Sequence, residues 1–350
     1  MTQFIQIHLL TAYPPGNLNR DDTGRPKTAV MGGAERLRIS SQALKRAWRT
    51  SAAFENVLTG HIAQRTQRIG REIKSHLTDK GMEEKEALET SRKIADVFGK
   101  LKKETDDNPA DIEQLAFISP EERKKAFGYA DKALAGEEID PKSGDILSAV
   151  DTAADIAMFG RMLADDPEFN REAAVQVSHA LTTHRVVVED DFYTAVDDLK
   201  RPAEDAGAGF IGVQEFGSGV FYLYICSNRE LLVKNLGGDE GIARLALEAL
   251  IRAAATIAPS GKQNSFATHA RALYILAEKG SQQPRSLAPA FLDPIGKQGD
   301  QMVLSKDRLG AFRKKLDDAY DQCWELEAEM DCSGAEAKGT LSGIVDFVKG

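Results

Sequence analysis

Cations and hydrogen-bond donors crowd one short stretch of the chain, residues 19–49. Four polar side chains there follow the i, i+3, i+4, i+7 spacing that places them on one face of a helix: Gln42, Lys45, Arg46 and Arg49. The opposite face carries Ala43, Leu44, Ala47 and Trp48. The spacing predicts a helix that packs through its apolar side and offers positive charge to phosphate groups on the other.

Two further features of this stretch favour anion binding. Ser40 or Ser41 is placed to cap the helix, and free backbone N–H groups at a helix start form an anion site. Gly32 and Gly33 permit close approach of the backbone to a ligand. The preceding loop adds a set of cations: Arg20, Arg25, Lys27, Arg36 and Arg38. A basic helix face alone is usually a solvated surface, but the combination favours binding of a phosphate backbone.

The net charge of −9 at first argues against a nucleic-acid partner. The average hides an asymmetry, because residues 1–51 hold eight Lys and Arg against three Asp and Glu. The acidic excess therefore lies in the rest of the chain. The positive charge is concentrated in the same segment that carries the predicted phosphate-binding helix.

The order of elements predicts an α+β protein. Residues 3–10 have the pattern of a strand, a loop rich in Pro, Gly, Asn and Asp follows, and the basic helix comes next. Residues 56–150 show a polar helical pattern, and the apolar runs at 155–162 and 173–188 are interpreted as strands. A projecting hairpin is expected over 189–218 with a mobile tip at 203–209, then a strand, a helix over 241–258 and a last sheet strand near 269–278. This order fits a sheet with helices on one face, as in the RNA-recognition (ferredoxin-like) fold.

Several short segments, which follow one another in the family's order, resemble the CasC family, the repeated backbone subunit of the type I-E CRISPR surveillance complex Cascade. They are FIQIHLL at 4–10, LNRDD at 18–22, GGAERLRISSQALKRAWR at 32–49, GRM at 160–162, SHALTTH at 178–184, YTAVDDL at 193–199 and QEFGSGVFY at 214–222. The resemblance spans roughly residues 1–260, and it is weak over 80–150 and from Asn264 onward. A linked set of this kind is far more specific than any one motif.

The resemblance implies a fold and a domain division. It implies an α+β fold with an RNA-recognition-motif (ferredoxin-like) palm at 1–55 and 151–350, a helical finger insertion at 56–150, and a thumb hairpin at 185–218. It also implies that a set of palm residues grips the RNA backbone: Arg20, Lys27, Ser40, Gln42, Lys45, Arg46 and Arg49. These residues coincide with the basic segment found from spacing alone.

The resemblance further implies a wedge that displaces a nucleotide at regular intervals: Met162, Phe192, Tyr193 and Thr194. An aromatic or thioether side chain between bases replaces stacking worth about 1–3 kcal/mol per base. Each of these residues could instead pack in the core, as could His61, which resembles a family position near the RNA.

The same resemblance implies a non-catalytic protein with no cofactor, and a cytoplasmic location is expected because the sequence shows neither a signal peptide nor a membrane span. Its implied partners are crRNA, further copies of itself in a head-to-tail filament, other Cascade subunits and target DNA paired to the guide. The opening residues lack the basic start and long apolar run of a signal peptide, and no stretch has the length of a membrane span. The three cysteines lack a CxxC pair, so reduced, structural thiols are expected.

Two alternatives remain open from the residues. A metal-dependent nuclease would use side chains suited to a divalent ion: His179, His184, Asp197 and Asp198, with Asp21 and Asp22. Against it, no HExxH, DxD or GKS/T signature accompanies them, and residues five apart on a strand point to opposite faces. A general single-stranded RNA-binding protein would share the basic segment but would not assemble on a guide.

Overall fold

The computed structural model of the protein describes residues 3–143, 145–163, 166–195 and 210–350. The strands are β1 (Phe4–Gly16), β2 (Thr28–Met31), β3 (Ala34–Ile39), β4 (Gln64–Thr66), β5 (Ala116–Ile118), β6 (Val175–Val177), β7 (Ala180–Thr182), β8 (Glu189–Ala195), β9 (Phe210–Asn228), β10 (Ala272–Gly280) and β11 (Leu326–Asp331). The helices are α1 (Ser41–Arg49), α2 (Ala52–Val57), α3 (Ile69–Asp79), α4 (Glu84–Ala95), α5 (Pro120–Leu134), α6 (Ala154–Phe159), α7 (Arg229–Asn235), α8 (Glu240–Thr256), α9 (Gln263–Phe266), α10 (Gln301–Tyr320) and α11 (Leu341–Lys349).

A twisted antiparallel sheet forms the centre of the palm. Its strands lie in the order β11-β10-β1-β9-β7-β3-β2, with β6 and β8 also paired to β9. The central pair β1–β9 runs in continuous register from Phe4 opposite Asn228 to Tyr13 opposite Gly219. The fold predicted from the sequence, an α+β sheet of the RNA-recognition type, is confirmed.

The larger core lies between this sheet and the helices α1, α2, α8 and α11. Ile5, Ile7 and Leu9 alternate along β1 and pack beneath the alanine- and leucine-rich α8. This alternation is the period of two expected of a strand with one face on the core. The predicted helix at 241–258 is therefore present as α8. The strand predicted near 269–278 is present as β10, but it is not the last of the sheet, because β11 pairs with its outer edge.

The second face of the sheet is also covered, which the sequence analysis did not predict. Leu10, Tyr222 and Leu276 point to this side and pack against Leu309 of α10 and Phe291. Because both faces are covered, β1 is buried at every position from Ile5 to Thr11, including the polar Gln6 and His8. The prediction of helices on one face only is thus wrong for this chain.

The interval 56–150 contains α3, α4 and α5 together with a two-stranded antiparallel sheet of β4 and β5. These elements enclose a core of their own, built on Ile73, Ile94 and Ala126, which extends to Leu163 beyond the interval. Two buried arginines beyond the interval are bonded to this part: Arg161 pairs with Glu122 at 2.6 Å, and Arg171, which pairs with Asp151 at 2.8 Å, donates to the Ser148 carbonyl at 2.7 Å.

The run 155–162, interpreted from sequence as a strand, is a helix over its first five residues. Helix α6 spans Ala154–Phe159, and Ala154 through Met158 are all buried. An apolar run that is buried on every side has no periodicity from which helix and strand can be told apart. The second run is correctly interpreted in part, because it contains β6 and β7.

A buried polar network lies under α10. The ring of His8 is fully buried, with Nδ1 2.8 Å from the Tyr222 hydroxyl and Nε2 3.3 Å from Glu278. Glu278 also pairs with Arg285 and Arg313. Burial, partly offset by Glu278, lowers the pKa of His8. Burial alone would raise the pKa of Glu278, but its hydrogen bonds to His8 and Arg285 bring it down to about 2.

Acidification is expected to destabilise the fold in two stages. A histidine with a lowered pKa binds its proton more readily in the unfolded chain, so the free energy of unfolding should fall as pH drops below about 6.5. Glu278 should add a further loss between about pH 4.5 and 2, since its carboxylate is favoured in the folded state. Urea unfolding at pH 7.5 and 5.5 measures the first stage. His8→Gln should reduce the difference between the two pH values, and His269→Gln, which alters an exposed ring, should not.

Candidate nucleic-acid interface

Helix α1 is held against the palm by its apolar side, as the spacing predicted. Leu44 and Trp48 are buried, and the Trp48 indole donates to the Ile257 carbonyl at 3.3 Å. Ser40 is the N-cap, and its hydroxyl accepts from the Ala43 N–H at 3.3 Å. The polar side of α1 therefore faces away from the core.

The N-terminus of α1 is less open to an anion than predicted. The Ser41 N–H donates to His179 Nδ1 at 3.0 Å, and the Ser40 N–H donates to Asn19 Oδ1 at 2.9 Å. Together with the Ala43 N–H bound to Ser40, three donors of the helix start are already satisfied within the chain. The side chains of α1, rather than its N-terminal amides, are left as the main polar surface.

The four polar side chains predicted on one face of α1 differ in how far they are free to contact a ligand. Gln42 and Arg46 are exposed, and Arg46 has no ion pair within the described part of the chain. Lys45 is half-buried with its ammonium 5.7 Å from the centre of the Phe159 ring, and burial lowers its pKa. Arg49 is tied down: its Nε lies 2.7 Å from Asp155 Oδ2 and its Nη2 donates to the Ala63 carbonyl at 3.2 Å.

Two loop cations lie beside the start of α1. The Arg38 N–H donates to the Lys27 carbonyl at 2.8 Å, so the two residues are neighbours. Burial, followed by the nearby charges of Arg38 and Lys27, lowers the pKa of His179. We call the surface formed by Lys27, Arg38, Gln42, Lys45 and Arg46 the basic face; its cations converge where a phosphate backbone would be attracted.

The other loop cations have different surroundings. Arg20 is exposed next to the turn that Asp21 closes by accepting from the Thr23 and Arg25 N–H groups, each at 2.9 Å. Arg25 is also exposed but pairs with Glu215 of β9 at 2.6 Å. Arg20 is therefore free to extend the basic face, whereas Arg25 joins the loop to the base of the thumb hairpin.

Arg36 does not belong to the interface, contrary to its grouping with the loop cations. Its side chain is fully buried and donates to the Thr182 and Phe291 carbonyls at 3.1 and 2.8 Å. Burial lowers the pKa of this guanidinium. It links β3 to β7 and to the 288–291 turn, which is a structural role.

Met162 is presented to solvent by a rigid support. Its side chain is 85% exposed, while its neighbour Arg161 is buried and bonded to Glu122 and to the Ser148 carbonyl. Gly160 has a φ of 80°, and a Cβ there would lie 3.0 Å from the Arg171 carbonyl oxygen. The three residues of the GRM motif thus have distinct roles, since Gly160 makes the turn, Arg161 anchors it and Met162 presents the thioether.

The hairpin β8–β9 carries the other predicted wedge residues, and all of them are exposed. Phe192 lies opposite Val213 and Thr194 opposite Ile211, so these four side chains share one face. Tyr193 lies on the other face across Gly212, with its ring 6.0 Å from that of Phe210. The predicted mobile tip at 203–209 lies outside the described residues.

His179 lies beside the basic face, and the sequence analysis weighed it only as a metal ligand. Its contact with Ser41 joins positions 138 residues apart, so no local pattern could have found it. His61 is half-buried, and its carbonyl accepts the Ala154 N–H that starts α6. The backbone of His61 therefore holds the start of α6, the helix that carries Asp155, the partner of Arg49.

Those residues of the nuclease alternative that the structure describes do not come together. His184 is buried, with Nδ1 3.1 Å from the Arg185 carbonyl and Nε2 accepting from the Val220 N–H at 3.3 Å, while His179 contacts α1. Asp197 and Asp198 lie outside the described residues. Over 3–143, 145–163, 166–195 and 210–350, no group of three His, Cys, Asp or Glu side chains could hold a metal ion. Within the same ranges, no helix is long and apolar enough to cross a membrane.

An antiparallel sheet with a basic helix at one edge and a projecting hairpin defines an α+β protein of the RNA-recognition-like class. The model of the CT1975-like protein family of Cas proteins matches residues 5–341, and the chain belongs to that family. No curated protein matches the chain.

Solved structures give the same result. A chain of a "CRISPR RNA-guided surveillance complex, pre-nicking" is 33% identical with a TM-score of 0.82, covering 91% of this chain and 89% of its own. A chain of a "CRISPR RNA-guided surveillance complex" is 25% identical with a TM-score of 0.74, and the match covers 99% of both chains. Family and structures together support a Cascade-type CRISPR role for this protein.

Proposed function

We propose that the protein is the crRNA-binding backbone subunit of a type I-E Cascade complex, a member of the CasC family, and that it has no catalytic role. Copies bind head to tail along one guide RNA and support recognition of foreign DNA. The observation that carries the proposal is the basic face, where the exposed Arg46 and Gln42 and three half-buried cations gather on and beside the outer side of a capped, well-packed helix.

The chemistry of the basic face suits a backbone rather than bases. Arg and Lys neutralise phosphates without reading sequence, and Gln42 and Ser40 provide short hydrogen-bonding side chains beside them. In a guide-directed complex, base pairing with the target DNA supplies the specificity, and the protein needs only to hold the guide. Arg20 would extend this surface, and the exposed side chains of Met162 and the hairpin would supply the wedge.

The hairpin supports head-to-tail assembly. Apolar side chains on β8 and β9 remain exposed in a single chain: Phe192, Tyr193, Phe210, Ile211 and Val213. A soluble protein rarely leaves such a patch uncovered without a partner. A neighbouring copy that covers it through a different surface gives an open filament rather than a closed ring. Other Cascade subunits would cap the ends of that filament.

Assembly on RNA separates this proposal from its alternatives. Light scattering after size-exclusion chromatography is run on the protein alone and with a CRISPR-length RNA, with divalent metal present and the RNA checked for cleavage. Stepwise growth of a multi-copy complex on intact RNA is expected. Binding of isolated copies would instead indicate a general single-stranded RNA-binding protein, and metal-dependent cleavage would indicate the nuclease.

Removing two cations of the basic face is expected to weaken RNA binding and its salt dependence. Lys27→Gln with Lys45→Gln should lower the slope of log K against log salt concentration by about 1.4, since each phosphate contact with a single strand contributes about 0.7. The measurement is fluorescence anisotropy with labelled RNA from 50 to 300 mM salt, roughly the range in which the slope is linear. Lys234→Gln with Arg244→Gln, two exposed cations on α7 and α8, is the charge-matched control. A slope equal to that of the control would remove the basic face from the proposal.

A further inference from the structure

A second basic surface lies beyond the C-terminal end of α1. Of the residues predicted as RNA contacts, it includes Arg46 and Arg49. It is an open groove of about 590 Å³ between α1–α2 on one side and the β4–α3 segment on the other. Its lining includes Arg46, Arg49, Arg65 and Arg68 together with Gln64. The groove therefore joins the palm to residues of the 56–150 interval.

Charge pairing leaves this groove positive. Within the described residues, neither an ion pair nor a side-chain hydrogen bond engages the guanidinium groups of Arg46, Arg65 and Arg68. Arg49 is neutralised by Asp155, and Glu72 by Arg123. Glu55 is the remaining acidic group of the lining, so two positive charges are in excess. Unpaired arginines gathered around a concave surface attract anions with several oxygens.

The groove is also preorganised. The ring of Phe117 on β5 contacts two of the arginines, with the Arg49 guanidinium 4.5 Å and the Arg65 guanidinium 5.4 Å from its centre. Arg49 is fixed by its bond to Asp155 and Phe117 belongs to a strand, so Arg65 rests on a ring that the fold holds in place. Stacking of this kind orients a guanidinium without consuming its N–H donors, which remain available to a ligand.

We propose that this groove is a second binding site for a nucleic-acid backbone, with Arg65 and Arg68 as its contact residues. Arg46 belongs to both surfaces, so a strand held on the basic face can pass directly into the groove. The ligand is the phosphodiester backbone, supplied either by the guide RNA or by the strand paired to it. The proposal rests on the proposed function only in taking the basic face as the first site.

The test uses two binding steps with the full-length protein. In the first step, four proteins are titrated with a guide-length RNA. They are the wild type, the groove variant Arg65→Gln with Arg68→Gln, the basic-face variant Lys27→Gln with Lys45→Gln, and the control Lys234→Gln with Arg244→Gln. Each protein–RNA complex is then titrated with a complementary DNA strand. Circular dichroism and urea unfolding establish that each variant is folded; both groove side chains are exposed.

We expect the groove variant to lower the salt slope by about 1.4 relative to the control in one of the two steps. A change in the first step assigns the groove to the guide, and a change in the second assigns it to the paired strand. If the groove variant equals the control in both steps while the basic-face variant loses RNA, the groove is not a binding site and the proposed function stands. If the wild type does not bind RNA in the first step, both the proposed function and the groove proposal fail.

Discussion

Replacing Arg49 with leucine is expected to lower the free energy of unfolding by about 3–5 kcal/mol, the loss typical of a buried ion pair that keeps only one partner. The reason is Asp155, whose side chain is fully buried and depends on Arg49 and the Ala63 N–H for its hydrogen bonds. Burial raises the pKa of Asp155 against the opposing charge of Arg49, so removing the cation should raise it further and favour protonation. Urea unfolding at neutral pH measures the effect.

Two comparisons make this result specific. Arg46→Leu, three residues away on the exposed side of α1, should change stability by less than about 0.5 kcal/mol. Arg49→Leu combined with Asp155→Leu should recover much of the loss, because no carboxylate remains buried without a partner. If Arg49→Leu folds as stably as the wild type but binds RNA poorly, the side chain contacts RNA and the structural role is wrong.

The second large effect is expected on assembly. Ile211→Asn with Val213→Asn removes two apolar side chains from one face of the hairpin, both more than 60% exposed in the single chain. Covering them by a neighbouring copy would contribute about 2–4 kcal/mol per contact, given roughly 1.5–3 kcal/mol for complete burial of each. The variant should therefore need at least about 30-fold more protein to fill a long RNA.

Affinity for a short RNA that holds one copy provides the internal control for the hairpin variant. It should match that of the wild type, because the basic face is untouched. Leu245→Asn with Leu326→Asn, exposed leucines on α8 and β11, is the control for the loss of surface apolar groups. Filling of the long RNA at wild-type concentration would contradict head-to-tail contact through this face.

Local patterns were sufficient for the helix that carries the basic face. The spacing of α1 predicted its packed side, its polar side and its cap, since all three are properties of the ten adjacent residues from Ser40 to Arg49. The spacing could not separate Arg46 from Arg49, which share a face of the helix but differ in what the rest of the chain brings to them. Asp155 lies 106 residues from Arg49, and that contact alone makes Arg49 structural in the isolated chain.

Long-range burial also explains the other differences. Arg36 was grouped with the loop cations because the sequence shows its charge. The sequence does not show that its side chain is buried against the carbonyls of Thr182 and Phe291. The groove arginines Arg65 and Arg68 were overlooked because they are separated from α1 in sequence and no periodic pattern links them. The pattern of side-chain types along one helix or strand predicts which of its faces is buried. A surface formed by two elements can be predicted only when it is known how those elements pack together.

Strand β9 has a consequence for the geometry of the proposed filament. One uninterrupted strand pairs with β8 from Phe210 to Phe216 and then with β1 through the palm to Asn228. Its transition is closely packed, because a Cβ on Gly217 would meet Leu37 at 2.8 Å and one on Gly219 would meet His184 at 2.5 Å. The hairpin portion reaches about 20 Å at the usual rise of a strand. The hairpin is thus continuous with the palm sheet. If the hairpin contacts the next copy, the distance between successive copies would be set by the length of this strand rather than by the sequence of the guide.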